Sequence, residues 1–271
     1  MAALLKRNRN AFTLAIVVEA VGSTSARTGA KAIFDREGTL LGGWIGGGCA
    51  ESTVAHAAIE CMENGCPQIV EVDLNDEVLG AGMPCGGSMK VYVEPVLPRP
   101  TIWILGHGRL AECVSQIGSL MGFEVVVDDP GATPTQFPSA DRVISDDDNY
   151  QQLDPLEQDF VVIATQHRGD HQSLRRVLGT EVKYIALVAS HKRTSLVLDY
   201  LQDAGFDNSA ISRIRAPCGL QLGARTPEEI ALSVVSEIVL VRRSRKAPME
   251  MSNSPREYGI EPVSLSIAAA G

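Results

Sequence analysis

A chain of 271 residues, 45% hydrophobic and 21% charged, can fill one large core or two ordinary ones, so wholesale disorder is excluded. Its 33 acidic against 24 basic residues give a formal net charge of −9, which excludes a general binder of phosphate backbones; no nucleic acid partner is expected. No apolar run reaches the about 18 residues of a membrane-spanning helix, so no membrane partner is expected either.

Lys6, Arg7 and Arg9 precede an apolar run over 11–18, the outline of a secretory leader. Glu19 breaks the run and no small-x-small cleavage site follows. The segment reads as a basic start before a buried strand over 12–21, in a cytoplasmic protein. Residues 31–34 and 39–44 form a hairpin about a D-x-x-G turn at 35–38. Gly46-Gly47-Gly48-Cys49 then opens a helix over 50–64. Val54, Ala57, Ala58, Cys61 and Met62 recur there at helical spacing, and Asn64-Gly65 supplies the stop. Strands follow over 68–74 and 88–95, the second preceded by the tight loop Pro84-Cys85-Gly86-Gly87.

Leu97-Pro98-Arg99-Pro100 is a stiff, extended spacer. It divides the chain into an N-terminal domain, 1–97, and a second domain, 98–245; the Met/Ser/Pro/Ala-rich stretch 246–271 reads as a flexible tail. In the second domain, apolar runs at 101–105, 123–127, 142–144, 160–164 and 184–188 alternate with helical stretches at 109–121, 170–178 and 194–204. Such alternation implies a parallel, doubly wound sheet. Thr226-Pro227-Glu228-Glu229 is a capping box that opens the last helix. The fold class is therefore α/β: a mixed α/β domain, then a Rossmann-like doubly wound parallel-sheet domain.

Gly106-x-Gly108-x-x-Ala111 stands between strand and helix. The first glycine permits the sharp turn, the second lets backbone approach a pyrophosphate, and Ala111 lets the helix pack closely. His107 and Arg109 flank the second glycine, and Asp128 ends the next strand, where an acid binds ribose hydroxyls. Asp128-Asp129 would repel a 2′-phosphate, favouring NAD over NADP if either binds. A Rossmann scaffold with another nucleotide, or none, stays open.

Three adjacent glycines, Gly46, Gly47 and Gly48, permit a nest of backbone amides around an anion. Cys49 would sit at the helix N-terminus, which favours the ionised sulfur, with Glu51 in the first turn. A plain glycine turn with a capping thiol is the alternative. Cys85, Gly86 and Gly87 would form a paired thiol site with Cys49 if the loops converge. The six cysteines contain no C-x-x-C pair and need not be oxidised; Cys218 is read as packing. His167 and His171, with Asp170 between, read as cleft-lining rather than as a metal site, and Asp146-Asp147-Asp148-Asn149 as a solvated turn.

At these residues the chain resembles the xanthine dehydrogenase accessory factor family, the XdhC/CoxI group. The resemblance runs through the block 22–30, Gly46-Gly47-Gly48-Cys49-Ala50-Glu51, Cys85-Gly86-Gly87, Glu94-Pro95, Gly106–Gly108 and the closing stretch 219–231. It implies an accessory chaperone that binds molybdopterin, the molybdenum cofactor, as cargo, supports its sulfuration and helps insert it into an apo molybdenum hydroxylase. A cysteine desulfurase partner and a homodimer are implied too, with Cys49 touching molybdenum or passing sulfur. The cofactor is expected in the cleft between the two domains. The rival reading is an NAD(P)-dependent oxidoreductase, supported by Gly106, Gly108 and Asp128 but lacking a Tyr-x-x-x-Lys pair. A third is a pure protein-interaction adaptor.

Overall fold

The computed structural model describes residues 1–73, 86–165 and 170–244, with the Asp170 side chain outside that set. Cys85, His167 and the tail 246–271 lie outside the described residues.

The N-terminal half runs α1 (Ala2–Arg7), β1 (Phe12–Gly22), β2 (Lys31–Phe34), β3 (Leu40–Gly43), α2 (Gly48–Asn64), β4 (Gln68–Asp73) and β5 (Gly87–Val96). The five strands form one antiparallel sheet in the order β3-β2-β1-β5-β4. Alternation sends Ala15, Val17, Met89, Val91 and Val93 to one face, where α2 covers them with Ala50, Val54, Ala57, Ala58 and Cys61. The periodicity of α2 is thus its buried stripe. Gly65 ends it in the left-handed conformation, its N–H donating to the Cys61 carbonyl at 2.9 Å. A register shift between Val17 and Glu19 breaks the alternation of β1 and leaves Val18 exposed.

The second half runs β6 (Thr101–Leu105), α3 (Arg109–Leu120), β7 (Glu124–Asp128), β8 (Arg142–Ile144), β9 (Phe160–Ile163), α4 (Asp170–Leu178), β10 (Ile185–Leu187), α5 (His191–Asp203), α6 (Asn208–Ile211), β11 (Ile214–Arg215) and α7 (Pro227–Ser244). Its six strands are all parallel, in the order β11-β10-β9-β6-β7-β8. Counted from β6, that is the 3-2-1-4-5-6 order of a doubly wound Rossmann sheet. Ile102 and Ile104 face α3 and α7, whereas Trp103 and Leu105 face the side of α4 and α5. Burial on both faces is why these strands read as continuous apolar runs.

The halves meet at the amino edge of the parallel sheet. The Arg9 guanidinium donates to both Asp159 oxygens, at 2.7 and 2.8 Å. Asp159 is fully buried and also accepts the backbone N–H of Thr101 and Leu156, at 2.9 and 2.8 Å. Arg99, from the proline spacer, donates to the Phe123 carbonyl at 2.6 Å.

Candidate functional site

The glycine triplet forms one tight turn. Gly46, Gly47 and Gly48 have φ of +118°, +63° and +52°, a left-handed run that side-chain-bearing residues resist. Gly47 is the N-cap of α2 and makes no side-chain cap hydrogen bond; a helix start of this kind gathers backbone amides where an anion can meet them. The Ser25 hydroxyl donates to the Gly46 carbonyl at 2.9 Å, fastening the loop after β1 to the turn. A methyl group on Gly46 would lie 2.7 Å from Ser25 Oγ and 3.5 Å from Met89 Cε. Among the described residues, nothing lies within 4 Å of where a methyl group on Gly48 would stand.

Met89 stands two residues after Gly87, and Gly87 pairs with Gly22 across β1 and β5. A methyl group on Gly87 would come within 2.5 Å of the Val21 carbonyl. The triplet, the loop after Gly22 and the Gly86-Gly87 pair therefore meet at one end of the antiparallel sheet. Cys49 is half-buried as the second residue of α2, and half-buried Glu51 lies in its first turn. Two further residues belong to this end. Ser25 is one; the other is Trp44, whose indole Nε1 lies 3.7 Å from where a Gly47 methyl would stand. The sequence signal for Trp44 was an aromatic residue closing a hairpin strand just before a glycine triplet.

This end is not the cleft between the halves. β1 and β5 pair antiparallel, with Phe12 opposite Val96 beside the spacer and Gly22 opposite Gly87 at the other extreme. Eleven strand residues separate the two ends by about 30 Å. The parallel sheet adds to the distance, because the junction uses its amino edge and Gly106–Gly108 its carboxyl edge. Two grooves lie between the halves among the described residues, one of about 460 Å³ lined by Lys6, Arg9, Asn10, Arg99, Glu124 and Asp141, the other of about 520 Å³ with Arg9, Asp35, Arg36, Leu156 and Glu157 in its walls. Among the described residues, neither glycine turn lines these interdomain grooves, the expected place of the cofactor.

At the carboxyl edge, Gly106 sits where β6 and β9 diverge, the switch point of the sheet. Its φ is +135°, and a methyl group there would run into the Ala164 carbonyl. Gly108 is the N-cap of α3, with φ +115°. His107 Nδ1 lies 2.6 Å from Asp129 Oδ1, which also accepts the Gly131 N–H at 2.7 Å. Arg109 is exposed and donates to Glu228 on α7 at 2.7 Å and to Glu112 at 3.3 Å. Asp128, at the strand end where a ribose-binding acid is expected, is fully buried, and neither of its oxygens has a hydrogen-bond partner among the described residues. Burial, and then the charge of Asp147, push its carboxyl up to about 7. Asp147 itself is held below the ordinary carboxylate range: burial opposes this, but the amides of Gln152, Gln151 and Asn149 outweigh it.

The profile of the XdhC Rossmann domain matches residues 102–238, and that of the XdhC and CoxI family matches residues 5–73. The chain belongs to the XdhC and CoxI family. It is 29% identical over 260 residues to the uncharacterized protein YqeB of Escherichia coli K12, covering 93% of this chain and 48% of that protein. It is 30% identical over 159 residues to a probable xanthine dehydrogenase subunit of Bacillus subtilis 168, covering 56% of this chain and 46% of that protein. It is 23% identical over 264 residues to the molybdenum cofactor insertion chaperone PaoD of E. coli K12, covering 84% of this chain and 83% of PaoD. The chain spans about half the length of the first two of these curated relatives.

Two further thiols of this XdhC-family chain, Cys61 and Cys218, are structural. Cys61 donates to the Val93 carbonyl in the first core, and burial raises its thiol. Cys218 packs against the second core, and burial pushes its thiol up to about 12. His171 is exposed on α4 and meets the Tyr200 ring edge-on at 5.6 Å. Among the described residues no group of three or more His, Cys, Asp or Glu could hold a metal ion, and no helix is long and apolar enough to cross a membrane.

Proposed function

We infer that the chain is an accessory chaperone that binds molybdenum cofactor at the glycine end of its antiparallel sheet and delivers it to an apo molybdenum hydroxylase. One observation carries the reading: a helix N-terminus without a side-chain cap behind three consecutive glycines of positive φ, with no described residue within 4 Å of a Gly48 methyl and with Cys49 at its second position. A molybdopterin brings a phosphate, a planar pterin and a molybdenum held by soft sulfur. The successive amides of 47–49 suit the phosphate, because convergent N–H dipoles bind an oxyanion at a helix start. Cys49, and Cys85 beside Gly86, supply soft donors to the metal end. The names of PaoD and of the B. subtilis relative support the same assignment. In this reading a cysteine desulfurase is the sulfur donor for the cofactor while the chaperone holds it.

The test is cofactor retention. Protein produced in cells that make molybdenum cofactor is purified, its pterin is oxidised to the fluorescent form, and pterin and molybdenum are counted per chain. Wild-type protein is expected to carry cofactor, and Cys49→Ala and Cys85→Ala to lose most of it. Wild-type retention by both variants removes the thiols from the mechanism. A wild-type protein that carries neither pterin nor molybdenum overturns the assignment.

A further inference from the structure

We propose that Trp44 is the stacking platform for the pterin ring, holding it beside the Gly46–Gly48 turn. The proposal rests on the cofactor-handling reading and names the side chain that selects a flat heteroaromatic cargo. The chain has two tryptophans. Trp103 lies in the second core at 3% exposure, whereas Trp44 leaves 51% of its surface in water. That exposure does not come from a loose loop. The Trp44 backbone N–H donates to the Lys31 carbonyl at 2.8 Å, continuing the β2–β3 ladder, and the next residue, Ile45, is fully buried. A rigid strand end and a core anchor thus hold a wet indole at the rim of the turn, where a side chain fixed in advance loses little entropy on binding.

The neighbours supply the rest. Trp44 Nε1 lies alongside Gly47, and no described residue comes within 4 Å of a Gly48 methyl. A ligand that lays a flat ring on the indole therefore has the amides of the turn within reach of its charged tail. Indole offers the largest aromatic face of any side chain, and stacking of this kind tolerates any flat heterocycle, with the tail supplying the second contact. A pterin with an anionic substituent matches both features, whereas a free phosphate matches only the turn.

Pterin-6-carboxylate is the probe, an anionic pterin without metal or sulfur. Titrated into the full chain, it is expected to quench the tryptophan emission saturably, because the one exposed indole is the one covered. By equilibrium dialysis, Trp44→Ala is expected to bind the probe about 5- to 100-fold more weakly, and Trp44→Phe, which keeps a flat ring, to recover most of the affinity. Thermal melting of each variant confirms that it is folded. Equal affinity in wild type and Trp44→Ala overturns the stacking role and leaves the chaperone reading intact. A Trp44→Phe protein as weak as Trp44→Ala overturns it as well, since the indole would then act through its N–H. If wild-type protein retains cellular cofactor but does not bind the probe, the ring is not the recognised part and the platform is overturned. If wild type does neither, the failure lies in the cofactor reading itself.

Discussion

A buried carboxyl without a hydrogen-bond partner is costly, and among the described residues Asp128 has none. Its charged neighbours Asp147, Asp129 and Asp146 share its sign, and Arg142 offsets them only in part. An unfolded aspartate titrates near ~3.9, whereas this one is pushed up to about 7, so the folded state holds the proton more tightly. The stabilisation from this group is therefore complete below pH ~4 and is lost as pH rises through about 7. Above that, the fold carries a sealed negative charge. Asp128→Asn keeps the shape and cannot ionise. It is expected to flatten the pH dependence of stability between ~4 and ~7 and to stabilise the protein at pH ~8 by about 2–4 kcal/mol. Urea denaturation at pH ~5 and ~8 measures both effects. An Asn variant less stable than wild type at pH ~8 would mean that the carboxylate is charged and satisfied.

The best-marked helix, α7, begins on a reciprocal cap. The Glu229 N–H donates to Thr226 Oγ1 at 3.3 Å, while Glu229 Oε2 accepts the N–H of Thr226 at 3.1 Å and of Arg225 at 2.7 Å. Thr226→Ala removes one side of the box and is expected to cost about 1 kcal/mol, a fall in Tm of about 3 °C by calorimetry. This start was legible because capping chemistry is local to four residues. The parallel strands were legible too: buried on both faces, residues 102–105 and Phe160–Ile163 are apolar throughout. Helix α1, with no buried residue, and the two-residue β11 have no pattern to display. The glycine site was half legible. The triplet and Cys49 stand out along the chain, but Ser25 reaches them only by a hydrogen bond across 21 positions, and Gly86-Gly87 only through the β1–β5 pairing, which joins residues more than sixty positions apart. Asp128 fell at the expected strand end, yet its sealing depends on how the chain packs around it, which no local signal records.

The two halves have separate cores and meet where one arginine enters the foot of the parallel sheet. Both glycine turns lie away from that junction, so a substitution there should change how the halves move together without touching either site. Arg9 is the residue to change. Arg9→Ala leaves Asp159, fully buried, with only the amides of Thr101 and Leu156. Removing one partner of a buried ion pair costs about 3 kcal/mol, because the remaining charge stays desolvated. The loss falls on the junction and on the second half, while the first half keeps its own helix-on-sheet core. Calorimetry is therefore expected to resolve the single wild-type transition into two, the parallel-sheet half melting first. Pterin retention near room temperature should stay at the wild-type level, because the lost contact joins Arg9 to Asp159 and Glu124 rather than to Gly46–Cys49 or Trp44. Arg9→Lys keeps the charge but not the two-oxygen geometry and should fall between. If Arg9→Ala instead abolishes retention while both halves remain folded, the cofactor site must extend into the interdomain groove after all.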